Sequence, residues 1–170
     1  HERLPKEQLE IAKFWINEHF VFIVPRSDEM RIDNLIQKAT ICILKHGVKG
    51  IVFDPWNEID HTRPQGLSET EYISKCLSKL RYFARTYQVH IWVIAHPTKM
   101  LKRLDGTYPI PTPYDISGSS HFRNKADCCL TIWRDLDPEK HSLDTQIHIQ
   151  KIRFHEVGKI GTVTLAYNPI

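Results

Sequence analysis

Glycine is scarce in this chain, with 7 among 170 residues. The glycines nowhere combine into a full G-x-G-x-x-G turn or a G-x-x-x-x-G-K-[ST] loop, so the chain holds no glycine-rich phosphate cradle. The four cysteines, Cys42, Cys76, Cys128 and Cys129, include no C-x-x-C pair, and the 10 histidines include no H-E-x-x-H. Without that ligand spacing no structural zinc is expected, and the cysteines read as buried free thiols of a reducing compartment. Apolar stretches such as Ile91 to Ala95 fall far short of the roughly 18 residues that a membrane span needs. No charged-then-apolar leader opens the chain, which points to a cytoplasmic address and no membrane partner. Charge of one sign is also modest: a formal +3 permits an anionic partner without demanding one.

With 25% charged and 41% hydrophobic residues, the length fits one soluble globular domain with a real core. A helix is predicted over 5–18, with Leu9, Ala12 and Ile16 on one face, and a short apolar strand follows over 20–24. Ile32, Leu35, Ile36, Ala39 and Ile43 then recur at amphipathic helical spacing, and Gly47 can end that helix in a left-handed cap. Ile51-Val52-Phe53-Asp54 reads as a buried strand. Ser68 and Glu71 form an S-x-x-E capping box that opens a helix with Ile73, Cys76, Leu77, Leu80, Phe83, Ala84 and Tyr87 on its apolar stripe. A further apolar run covers 90–96, a polar loop runs from Pro97 to about Ser117, and a short helix is predicted over 119–125. Three strands, over 128–134, 146–154 and 161–167, have room only for hairpins between them.

Apolar strands alternating with helices imply a parallel sheet covered on both faces. The fold class predicted is therefore α/β, with a parallel central sheet and an antiparallel C-terminal edge.

In such sheets ligands gather at the carboxyl ends of the strands, where Asp54, His96 and the Lys151/Arg153 pair emerge. A carboxylate there can hold Mg²⁺ through water, or it can simply close a turn. His96, ahead of Pro97, has the polar side chain to touch a terminal phosphate at the end of its strand. Lys99, Lys102 and Arg103, and then Ser117, Gly118, Ser119, Ser120, Arg123 and Lys125, mix cations with small hydroxyl residues. That mixture suits contacts to a phosphate backbone, and a solvated loop would carry it equally well.

Five stretches and a glycine-flanked tail occur in one order: Ile51-Val52-Phe53-Asp54-Pro55-Trp56-Asn57, Val93-Ile94-Ala95-His96-Pro97-Thr98-Lys99, Asp115-Ile116-Ser117-Gly118-Ser119-Ser120, Ala126-Asp127, Lys151-Ile152-Arg153-Phe154, and Gly158-Lys159-Ile160-Gly161-Thr162-Val163. Together they resemble the RecA-like motor domain of the DnaB-type replicative helicases, above all the helicase half of phage primase–helicases and of Twinkle. The resemblance implies a RecA-like P-loop NTPase core of which residues 1–170 are a part. It makes Asp54 the Walker B aspartate holding Mg²⁺, with Asn57 beside the nucleotide and His96 as γ-phosphate sensor. Lys151 and Arg153 become the K-x-R pair offered to the neighbouring subunit, with Arg153 as arginine finger. Arg134 and Tyr167 match the adenine sandwich. Lys99, Lys102, Arg103, Gly118, Ser119, Ser120 and Arg123 face single-stranded DNA.

The partners implied are ATP or another NTP, Mg²⁺, single-stranded DNA, five further copies in a hexameric ring, and a primase domain or protein. A bacterial or phage-infected cell is expected ahead of the mitochondrial matrix. Two departures stand out. The Walker A loop and catalytic glutamate of the family lie upstream of the region matching His1, so the chain alone is expected neither to bind ATP tightly nor to hydrolyse it. Pro55-Trp56 is bulkier than is usual after the aspartate. Two alternatives stay open: a RecA-like recombinase or regulatory ATPase that forms filaments on DNA, and a non-catalytic DNA-binding module.

Overall fold

The structure, a computed structural model, describes residues 5–104, 106–116, 120–135 and 144–166. Helix α1 (Lys6–His19) forms where the sequence predicts it, but none of its residues is buried. The stripe of Leu9, Ala12 and Ile16 therefore has no core to enter. The strand expected over 20–24 is also not formed: the segment is exposed and joins no sheet among the described residues. A strand is held by a ladder to a neighbour, and among the described residues this segment has none.

Helix α2 (Ile32–His46) buries Ile32, Leu35 and Ala39, and Gly47 caps it at φ 66°. β1 (Gly50–Phe53) leads through a turn at Trp56–Glu58 into α3 (Glu69–Tyr87), whose Ser68/Glu71 capping box is made in both directions. α3 buries Ile73, Cys76, Leu77, Leu80 and Phe83 as predicted, and Tyr72 besides, before Gln88 ends it in a left-handed cap. β2 (His90–Val93) returns parallel to β1, pairing Gly50 with His90 through to Phe53 with Val93. The short helix α4 (His121–Lys125) precedes β3 (Cys128–Trp133), β4 (Thr145–Ile152) and β5 (Gly161–Leu165). These last three strands form an antiparallel meander with an irregularity at Cys129/Leu130.

The parallel and antiparallel strands thus occur as predicted, but as two sheets, β1-β2 and β3-β4-β5. The main core lies between the β1-β2 sheet and helices α2 and α3, and receives Phe53, Trp56, Ile59 and Phe122. Alternation along the strands sends Ile51, Phe53, Ile91 and Val93 inward and leaves Val52, Trp92 and Ile94 exposed. The expectation of a sheet covered on both faces is corrected accordingly: the described helices cover one face. Of the thiols, Cys76 and Cys129 are buried, Cys42 is half-buried and Cys128 is exposed, which corrects the expectation of four buried thiols. Burial raises the Cys76 and Cys129 pKa values and so keeps both thiols protonated.

Candidate active site

Asp54 and His96 leave adjacent parallel strands at their carboxyl ends, and a short series of bonds keeps the two loops in step. Ile94 donates its backbone N–H to Phe53 (3.0 Å), Trp56 donates to Ile94 (2.6 Å), and His96 N–H donates to Asn57 Oδ1 (2.9 Å). Asn57, expected beside a nucleotide, uses its side-chain oxygen to tie the β2 loop to the β1 loop. Both Asp54 and His96 are exposed, and the Asp54 carboxylate makes no hydrogen bond or ion pair among the described residues. The bulk of Trp56 does not crowd it. The indole turns inward to 3% exposure, meets Phe122 edge-on at 5.4 Å and packs on His61 at 4.9 Å.

Lys151 and Arg153 lie on the other sheet, at the end of β4. Lys151 Nζ donates to the backbone carbonyls of Arg123 and Ala126, the latter at 2.8 Å. Arg153 Nη2 donates to Asn124 O at 2.8 Å, while its Nε sits 3.1 Å from Asp127 Oδ1. Cations beside the last carbonyls of a helix meet its unsatisfied acceptors. Desolvation, reinforced by the Arg153 charge, lowers the Lys151 pKa. Asp54 and the Lys151/Arg153 pair are thus not brought together within one sheet.

Arg134 lies across the β3-β4 hairpin, where its Nε and Nη2 donate to Thr145 Oγ1 at 3.2 and 2.8 Å. Its expected partner Tyr167 lies outside the described residues, as do Ser117, Gly118 and Ser119. Lys99, Lys102 and Arg103 are exposed on a loop closed at its base by a Pro97–Ile116 bridge and by Thr98 N–H donating to Asp115 O (2.7 Å). Lys102 Nζ stands 5.3 Å from the centre of the Tyr108 ring. Ser120 is exposed ahead of α4, and Arg123 lies 5.2 Å over the Tyr114 ring. Both cations lie within cation–π range of an aromatic face.

Sequence reasoning gave no role to Asp127, Arg81 or Phe122. Asp127 had a signal in the Ala126-Asp127 motif; Arg81 and Phe122 acquire theirs only through contacts between α3, α4 and the β1 turn.

The same fold, a parallel strand pair followed by an antiparallel meander, occurs in solved structures. A DnaB-like replicative helicase, solved for its interactions with primase, superimposes with a TM-score of 0.74 at 20% identity, over 96% of this chain and 39% of that one. A second solved structure, an ATPase domain, superimposes with a TM-score of 0.64 at 21% identity, over 81% of this chain and 48% of that one. The chain therefore has the fold of a RecA-like ATPase domain of the DnaB helicase type. At the level of sequence it is 38% identical over 169 residues to the Twinkle homolog protein, chloroplastic/mitochondrial, of Arabidopsis thaliana. That match takes in 98% of this chain and spans 23% of the length of the relative. No protein-family model matches the chain.

Proposed function

We propose that this chain is part of the motor domain of an ATP-dependent, hexameric replicative DNA helicase, which moves along single-stranded DNA and unwinds duplex. The observation that carries the reading is the paired presentation of Asp54 and His96 at adjacent parallel strand ends, with the carboxylate left unengaged. The likeness to a Twinkle homolog along 98% of the chain supports it.

An exposed carboxylate without a protein partner fits a hydrated Mg²⁺, whose remaining ligands would come from water and the triphosphate. Asp54 would hold that ion, and the ion would neutralise charge on the β- and γ-phosphates. His96, fixed through its backbone by Asn57, would sense whether a γ-phosphate is present and pass that state into the 97–116 loop. Lys99, Lys102, Arg103, Ser120 and Arg123, with Gly118 and Ser119, would grip DNA phosphates. The separation of Arg153 from Asp54 suits a finger that completes the site of the next subunit rather than its own. A planar guanidinium matches the charge that develops on the transferring phosphoryl group. Arg134, with Tyr167, would sandwich the base of the nucleotide.

The remaining parts of the ATP site would come from elsewhere in a longer protein, and a primase domain or partner would act with it. No described helix is long and apolar enough to cross a membrane. The Arabidopsis relative is named as chloroplastic/mitochondrial, which does not fit well the expectation of a bacterial or phage-infected cell ahead of an organelle.

Strand separation by the full-length protein tests this reading directly. With ATP and a forked duplex, unwinding is expected and Asp54→Ala abolishes it. Filaments on DNA in electron micrographs, with no unwinding, would instead establish the recombinase-like alternative.

A further inference from the structure

The proposed cycle uses Arg153 but leaves Asp127 idle, although Asp127 is the residue that Arg153 meets most closely through charge. Asp127 Oδ1 lies 3.1 Å from Arg153 Nε and 3.4 Å from Arg81 Nη2 on α3. The backbone is engaged as well, since Arg153 N–H donates to Asp127 O at 2.8 Å. Arg153 Nη2 is taken up by the carbonyls of Asn124 (2.8 Å) and Ala126 (3.3 Å).

A guanidinium carries its donors in a rigid planar fork, so fixing one edge fixes the direction of the other. Here the Nε/Nη2 edge is occupied, and Nη1 makes no such contact among the described residues. The side chain is 26% exposed, held but not hidden. Arg81 anchors Asp127 from behind; its own Nε is buried without a hydrogen-bond partner, so the Asp127 carboxylate is the anion on which this side chain depends. One carboxylate thus faces Arg81 and Arg153 with Lys151 nearby, leaving an excess of positive charge that an anion can satisfy.

We propose that Asp127 is a positioning residue. Its carboxylate, anchored to α3 through Arg81, and the carbonyl end of α4 clamp one edge of Arg153 so that the free edge is presented outward to the phosphates held by the neighbouring subunit. The inference rests on the reading of Arg153 given above. It also makes α4 a link, because the same short helix carries Arg123 toward the proposed DNA surface and Phe122 onto Trp56 beside Asp54.

In the full-length protein, Asp127→Asn keeps the shape of the side chain and removes its charge. Turnover at saturating ATP is expected to fall by about tenfold or more, the scale of loss when a reacting group is misplaced, while nucleotide affinity holds. Subunit mixing separates positioning from misfolding. Asp127→Asn subunits combined with Asp54→Ala subunits should regain turnover, because the sound Arg153 of one meets the sound Asp54 of the other. Arg153→Ala mixed with Asp54→Ala is the reference pair. If that pair recovers turnover while Asp127→Asn alone is undiminished, or is inactive and fails to recover on mixing, the role of Asp127 is overturned and the reading of Arg153 stands. If the reference pair itself fails to recover, the reading of Arg153 falls and the role of Asp127 with it.

Discussion

Ser68 and Glu71 illustrate chemistry that short spacing settles. The Ser68 backbone N–H donates to Glu71 Oε2 at 3.0 Å, and the Glu71 backbone N–H donates to Ser68 Oγ at 3.3 Å. Ser68→Ala should lower stability by about 1 kcal/mol, read as a fall in melting temperature. The Ser68 hydroxyl and then its backbone N–H lower the Glu71 pKa below the ordinary 4.5. A carboxyl whose folded pKa is depressed stabilises the fold above its unfolded value and loses that contribution as pH falls through the folded one. The acid limb of a melting profile of Ser68→Ala should therefore drop less steeply below pH 4.5 than that of the parent chain. Asn57 shows the reverse case. The resemblance made Asn57 a nucleotide contact, while the backbone amide it meets, that of His96, lies 39 residues away and could not be read from the sequence. Asn57→Ala should speed hydrogen exchange at the His96 amide, and unchanged exchange would contradict the bond.

At the scale of elements, periodicity located α2, α3 and the hairpin strands, because each rule involved acts within a few residues. It failed for the strand over 20–24 and for the buried stripe of α1. An apolar run states that a segment can be covered, not which element covers it. The short helix predicted over 119–125 forms as α4, and tertiary structure supplies what holds it: five residues, too short to stand as an isolated helix, are fixed by Phe122 against Trp56. Phe122→Ala should cost about 3 kcal/mol or more in chemical denaturation, as large aromatic truncations in a core do. Ile41→Ala, at a residue 60% exposed on α2, should stay within about 0.5 kcal/mol and serves as the control.

For the whole molecule, the sequence order implied parallel strands at the centre and antiparallel strands at the C-terminal edge; both kinds of pairing occur, and the fold superimposes on that of DnaB-like domains. That the strands divide into two sheets, with Val52, Trp92 and Ile94 exposed, was not legible, because pairing is set between distant segments. The candidate site divides in the same way. Asp54 and His96 were readable as strand ends. The grip of Asp127 and α4 on Arg153 joins segments that the sequence keeps apart. On this account the chain supplies two half-sites, Asp54 with His96 to its own nucleotide and Arg153 to that of a neighbour. The most direct test is ATP turnover and nucleotide affinity measured on the same full-length Arg153→Ala sample. Turnover should be abolished with affinity retained, and undiminished turnover would contradict the account.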